Sequence, residues 1–125
     1  MEKKIEWDKK NVLITITGNT SFIELRELGS NIYGDHRFDV INYLFIDFRL
    51  ADLSQITSAH VKTIASIDSV SVTYKPELKM AFIINSEEKR KLCETYIEYS
   101  KNFQTTWSFA IFTSLEEANK WCGLK

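Results

Sequence analysis

The sequence predicts an α/β domain with a mostly parallel mixed sheet of about five strands, an antiparallel N-terminal edge strand and about four helices. Three observations predict it. The runs Tyr43-Leu44-Phe45-Ile46-Asp47-Phe48 and Met80-Ala81-Phe82-Ile83-Ile84 are apolar on both alternating faces, as strands covered on both sides are. Stretches with helical periodicity lie between the later strand candidates. Two short alternating segments open the chain and read as a hairpin.

Each element follows in order. Ile5-Glu6-Trp7 alternates, Lys9-Lys10-Asn11 is a polar turn, and Val12-Leu13-Ile14-Thr15-Ile16-Thr17 is rich in β-branched residues, which suit a strand. Gly18-Asn19-Thr20 breaks it. Ser21 opens the first helix, with Glu24 completing a capping-box pattern. Phe22, Leu25, Leu28 and Ile32 share one face, and Gly34 ends the helix. The stretch 35–39 has no readable period. The third strand spans 43–48, with Leu44 and Ile46 on one face and Phe45 on the other. The stretch 50–56 reads as a loop.

The second helix starts near Thr57 or Ser58 and ends before Thr73. Val61, Ile64, Ala65 and Asp68 share a thin apolar stripe. Lys75-Pro76-Glu77 is a turn, and 80–84 is the next strand. Asn85 reads as the N-cap of a third helix that runs to about 102. Its broad face carries Leu92, Cys93, Tyr96, Ile97, Tyr99 and Phe103. The last strand is Trp107-Ser108-Phe109-Ala110-Ile111-Phe112. A capping box at Ser114 and Glu117 opens a final helix that buries Leu115, Ala118, Trp121 and Cys122 and frays at 123–125. Strands three to five, joined through helices, should be parallel with right-handed crossovers.

Composition narrows the classes. The 125 residues make one ordinary domain, 1–125, and a hydrophobic fraction of 44% is enough for a core without disulfides or metal. Basic and acidic residues balance at 16 against 17, which argues against a nucleic-acid partner and a polybasic membrane anchor. No apolar run reaches the roughly 20 residues of a membrane helix, and the charged start lacks a signal segment. A cytoplasmic protein without stable membrane insertion is expected, with Cys93 and Cys122 as reduced thiols.

The residues Leu44-Phe45-Ile46-Asp47-Phe48-Arg49-Leu50-Ala51-Asp52-Leu53-Ser54, Lys79-Met80-Ala81-Phe82-Ile83-Ile84, and Phe112-Thr113-Ser114-Leu115-Glu116-Glu117-Ala118-Asn119-Lys120-Trp121 carry a family resemblance. Together with the order of elements they resemble the STAS domain (sulfate transporter and anti-sigma-factor antagonist). The spacing is most similar to a bacterial STAS-like branch of unknown function, related in shape to CRAL-TRIO lipid-binding domains. The resemblance implies a single STAS-like domain and a non-enzymatic regulatory or protein-interaction module. Anti-sigma-factor antagonists carry an Asp-Ser-Ser-Gly-type signature, with a phosphorylated serine, where the second helix starts. Here Ser54-Gln55-Ile56-Thr57-Ser58-Ala59 keeps hydroxyls but lacks the Asp and the Gly.

The candidate binding residues are Asp47, Arg49, Ser54, Thr57 and Ser58, where the third strand ends and the second helix begins. Asp47 and Arg49 could hold an anion; the plainer reading has Asp47 capping loop amides and Arg49 solvated. The three hydroxyls could form an anion or phosphorylation site at a helix start; the plainer reading makes one of them the N-cap. His36 and His60 lack a nucleophile partner, so no catalytic residue is assigned. Histidine and cysteine spacing gives no metal signature, and no cofactor is expected. Tyr96, Tyr99, Phe103, Trp107 and Trp121 could line a ligand cavity, but aromatics at this spacing are more often core, and a chain this short has little volume for both. The expected partner is a regulatory protein. The alternative function is a small carrier or sensor of an apolar or anionic ligand, on the CRAL-TRIO-like resemblance.

Overall fold

The structure is a computed structural model and describes residues 1–124. The chain runs β1 (Glu2–Trp7), β2 (Asn11–Asn19), α1 (Phe22–Tyr33), a 3-10 turn (His36–Val40), β3 (Tyr43–Asp52), α2 (Ser58–Tyr74), β4 (Lys79–Ile83), α3 (Glu87–Lys101), β5 (Ser108–Phe112) and α4 (Leu115–Trp121). One sheet has the order β1-β2-β3-β4-β5. β1 pairs antiparallel with β2, and every later pairing is parallel. The expected mixed sheet and edge hairpin are therefore present.

Strand order explains the layers. Each crossover from β2 to β5 advances one strand in the same direction, so crossovers of one hand deposit their helices on one face. That face buries Ile14, Leu44, Phe48, Met80 and Phe82 against Leu28 and Ile32 of α1, Val61 and Ala65 of α2, and Cys93 and Tyr96 of α3. The opposite face holds a smaller core, where Phe45, Ala81 and Ile83 meet Ala118 and Cys122 at α4. Leu44 and Phe45 are both buried, which fits a strand covered on both sides. Burying side chains of this size contributes about 1.5–3 kcal/mol each.

Several boundaries differ from the sequence reading. β2 does not break at Gly18, and β3 does not end at 48. The two continue together through Thr17–Leu50, Gly18–Ala51 and Asn19–Asp52 beyond a bulge that inserts one extra residue into β3. Gly18 accommodates this extension at φ +85°, where a glycine carries no steric penalty. The loop before α2 is correspondingly shorter. α2 continues to Tyr74, past Thr73. Ser86, not Asn85, caps α3; the Asn85 side chain instead donates to the Arg49 carbonyl at 3.0 Å. The α1 capping box is complete. At α4, Ser114 caps the Glu117 amide, but Glu117 accepts hydroxyls from Thr113 and Ser114 rather than the cap's own amide. Trp107 lies just before β5, and its indole N–H donates to the Lys75 carbonyl at 2.6 Å. Of the fraying expected at 123–125, Lys125 lies outside the described residues.

Candidate functional site

Of the residues singled out in the sequence, Asp47 and Arg49 lie within β3, Ser54 follows its end, and Thr57 and Ser58 open α2; internal partners occupy most of them. Asp47 accepts from the Arg49 amide at 3.0 Å and pairs with its guanidinium, Nη2 to Oδ2 at 2.8 Å. Burial alone would raise the Asp47 carboxyl; the Arg49 side-chain and backbone hydrogen bonds outweigh it and hold the carboxyl below its ordinary value. Arg49 is thus paired rather than solvated, which corrects the plainer sequence reading. Its carbonyl also receives Lys89 Nζ at 3.2 Å. Asp52 accepts from the Ser54 amide at 2.9 Å. Thr57 is the N-cap of α2: its hydroxyl accepts from the His60 amide, and His60 Nδ1 accepts from the Thr57 amide. Ser58 is the exposed first residue of the helix. Asp47, Arg49 and Thr57 are thus internally satisfied, and Ser54 and Ser58 are exposed hydroxyls on either side of the α2 cap.

A second arrangement lies deeper, between α1, α2, α3 and the sheet. There the structure has a half-open cavity of about 630 Å³. Its floor is Ile14, Ile16, Leu44, Ile46, Met80 and Phe82 of the sheet. Its walls include Leu25, Gly29 and Tyr33 of α1, Ile64, Ile67, Val70 and Tyr74 of α2, and Leu92, Cys93 and Tyr96 of α3. Ligand pockets commonly fall between about 300 and 1,000 Å³, a range that includes this volume. The space exists because α1 and α2 touch at spaced points. Phe22 stacks on His60 at 4.7 Å between ring centroids, and further along the helices the Tyr33 hydroxyl donates to Asp68 at 3.1 Å.

α2 explains the mouth. Val61, Ala65 and Asp68 form its buried stripe. A second apolar stripe, Ile67, Val70 and Tyr74, lines the same cavity yet stands 41%, 61% and 84% exposed. The helix therefore reads as weakly amphipathic in sequence, because its apolar residues serve both core and opening.

Asp68 is the buried charge of this site, at 7% exposure. Tyr33 and Tyr96 both donate to its Oδ2, at 3.1 and 2.6 Å. Burial pushes its carboxyl up to about 6, against the opposing pull of the two phenols. Burial and the facing carboxylate raise both tyrosines well above their ordinary value. Sequence reading placed Asp68 on the apolar stripe but gave it no role; a carboxylate on a buried helical stripe requires donors, and phenols on two neighbouring helices were the signal to look for. Of the aromatics proposed as cavity lining, only Tyr96 belongs to it. Tyr99 and Phe103 pair with each other at 5.5 Å, Trp107 packs near Tyr33 and Phe38, and Trp121 packs on Phe112 across the sheet.

The histidines carry no catalytic constellation: His36 is exposed beside Asp35, and His60 is used in the α2 cap. Burial pushes the Cys93 thiol up to about 12, far from thiolate reactivity. Among the described residues no three His, Cys, Asp or Glu gather as a metal site, and no helix is long and apolar enough to cross a membrane.

Neither a family model nor a curated protein matches the sequence. Solved structures do match in fold. The anti-sigma factor antagonist SpoIIAA in its unphosphorylated form superposes with a TM-score of 0.59 at 15% identity, covering 99% of each chain. An uncharacterized protein of the DUF3478 family from Shewanella loihica PV-4, with a SpoIIAA-like fold, superposes with a TM-score of 0.55 at 16% identity, covering 96% of this chain and 91% of that one. At such identities the likeness concerns the path of the backbone, and the chain has the SpoIIAA-like, STAS-type fold.

Proposed function

We propose that this chain is a non-enzymatic binding module that holds a small apolar molecule between its helices and its sheet, as a carrier or sensor. The observation that supports it is the cavity of about 630 Å³ with an exposed apolar mouth on α2. Exposed aliphatic side chains beside an apolar cavity carry a hydration cost that an entering ligand removes. The test is thermal denaturation with a neutral apolar probe such as N-phenyl-1-naphthylamine. The probe should raise the melting temperature and gain fluorescence, and Ile64→Trp, which narrows the cavity, should weaken both. A probe that neither stabilises the wild type nor responds to Ile64→Trp contradicts the reading.

A second reading rests on the fold likeness to an anti-sigma factor antagonist. In it Asp47, Arg49, Ser54, Thr57 and Ser58 form a surface for a regulatory protein. Ser54 and Ser58 are its exposed hydroxyls; Asp47 and Arg49 hold its shape. Because α2 both begins at this surface and walls the cavity, a ligand could alter what the surface presents. Ser54→Glu and Ser58→Glu should weaken capture of a partner from native lysate while leaving the circular dichroism unchanged. Undiminished capture by both variants counts against the surface.

A further inference from the structure

Asp68 has two carboxylate oxygens in different surroundings. Oδ2 takes both phenols. No donor among the described residues reaches Oδ1, yet no enclosed side-chain oxygen or nitrogen lacks a partner. Oδ1 is therefore not fully enclosed, and its neighbour at Gly29 places it on the side of the cavity. A carbon added at Gly29 would lie 3.9 Å from Oδ1 and 3.6 Å from Tyr33 Cε2, and Gly29 is a wall of the cavity. A glycine inside α1 weakens that helix relative to alanine. Here its lack of a side chain leaves room beside the free oxygen.

From this geometry we infer that Asp68 Oδ1 anchors the head of the bound molecule, and that the ligand is an apolar chain ending in a hydrogen-bond donor, an alcohol or a protonated amine. The inference rests on the cavity being a ligand site. Oδ1 has no donor among the described residues, and a donor head supplies a charge-assisted hydrogen bond in a largely desolvated site. A carboxylate head would set two anions together in a desolvated site. The other titratable groups lining the cavity are Tyr33 and Arg26 on α1, Tyr74 on α2, and Tyr96 and Cys93 on α3. Arg26 alone among them is a cation, and it is exposed at the mouth. It defines the competing arrangement: a fatty-acid chain bound tail-inward with its carboxylate outside.

Four probes of equal chain length separate these arrangements: decylamine, decan-1-ol, decyl methyl ether and decanoate, titrated calorimetrically at near-neutral pH. The amine and the alcohol should bind about tenfold more tightly than the ether and decanoate, the usual worth of one hydrogen bond to a charged group. Asp68→Asn keeps an acceptor for the phenols but turns an NH2 toward the cavity, so the preference should reverse in favour of ether and decanoate. Gly29→Ala should erase the preference while retaining apolar binding. Equal affinity for all four probes overturns the inference and leaves the cavity reading standing, as does tightest binding by decanoate that Arg26→Ala removes. Failure of every probe to bind overturns both.

Discussion

The Tyr96 hydroxyl donates to Asp68 Oδ2 at 2.6 Å, joining α3 to α2 inside the helix layer. Tyr33 reaches the same oxygen from α1. One buried carboxylate thus ties together the helices that wall the cavity. The tie is electrostatic in a place where the surrounding contacts are apolar, so its strength depends on the carboxylate's protonation.

That dependence has a definite sign. Asp68 holds its proton up to about pH 6 in the folded state, whereas an unfolded aspartate releases it near about 3.9. Between those values the folded state binds the extra proton, so this group makes stability fall as pH rises through the window. The full swing is about 3 kcal/mol. Denaturant unfolding of Asp68→Asn, compared with wild type from about pH 4 to pH 7, should show the falling component missing and the variant at least as stable at the upper end. An unchanged pH profile removes Asp68 as its source.

The two phenols should not be equivalent. Tyr96 is buried and close to Asp68, while Tyr33 is half-buried and further from it. Tyr96→Phe should cost roughly 1.5–3 kcal/mol at neutral pH, as loss of a bond to a charged group does. Tyr33→Phe should cost less. Equal and negligible losses in urea melts would mean that the carboxylate is satisfied by other means.

The central strand supplies a contrast between fully and partly buried side chains. Leu44 and Phe45 are 1% and 2% exposed and pack on opposite faces of β3. Truncating either to alanine should cost about 2–5 kcal/mol. Ile46 shares the Leu44 face and both border the cavity, but Ile46 is only half-buried, so Ile46→Ala should cost clearly less. Three equal losses would indicate that the space beside Ile46 is filled in solution.

At the far corner, Arg49→Ala leaves the buried Asp47 carboxylate with a backbone amide as its remaining close donor. The loss should be about 1–3 kcal/mol at neutral pH. Because the folded Asp47 carboxyl sits below its ordinary value, its stabilisation exists above about pH 4 and disappears as pH falls through the folded value. The wild-type and Arg49→Ala unfolding curves should therefore converge in acid; a constant gap across pH assigns the loss to packing of the arginine stem.

Most of the fold was legible because its grammar is local. Apolar runs at β3 and β4, the Ser21–Glu24 box and the Thr57 cap each follow from a few adjacent residues. What escaped were features set across the sheet. The extension of β3 through Arg49 to Asp52 depends on partners in β2, and Asn85 lost the cap of α3 because the Arg49 carbonyl claims its side chain. Thr57 was legible as a cap because a helix start needs a side-chain acceptor, whereas Asp47 and Arg49, expected at a strand end, pair with each other within the longer β3. The cavity was not legible, because empty space has no periodicity. Its traces were indirect: an unusually thin stripe on α2, a carboxylate on that stripe, and a glycine within α1.

Methyl-resolved NMR during titration with decan-1-ol tests the central claim most directly. If the cavity is a binding site, the methyl resonances of Ile14, Ile46 and Ile64 should shift in a saturable manner, while those of Ile83 and Leu115, across the sheet, stay still. Shifts scattered over both faces, or none at all, would contradict the claim that this domain holds an apolar molecule between its helices and its sheet.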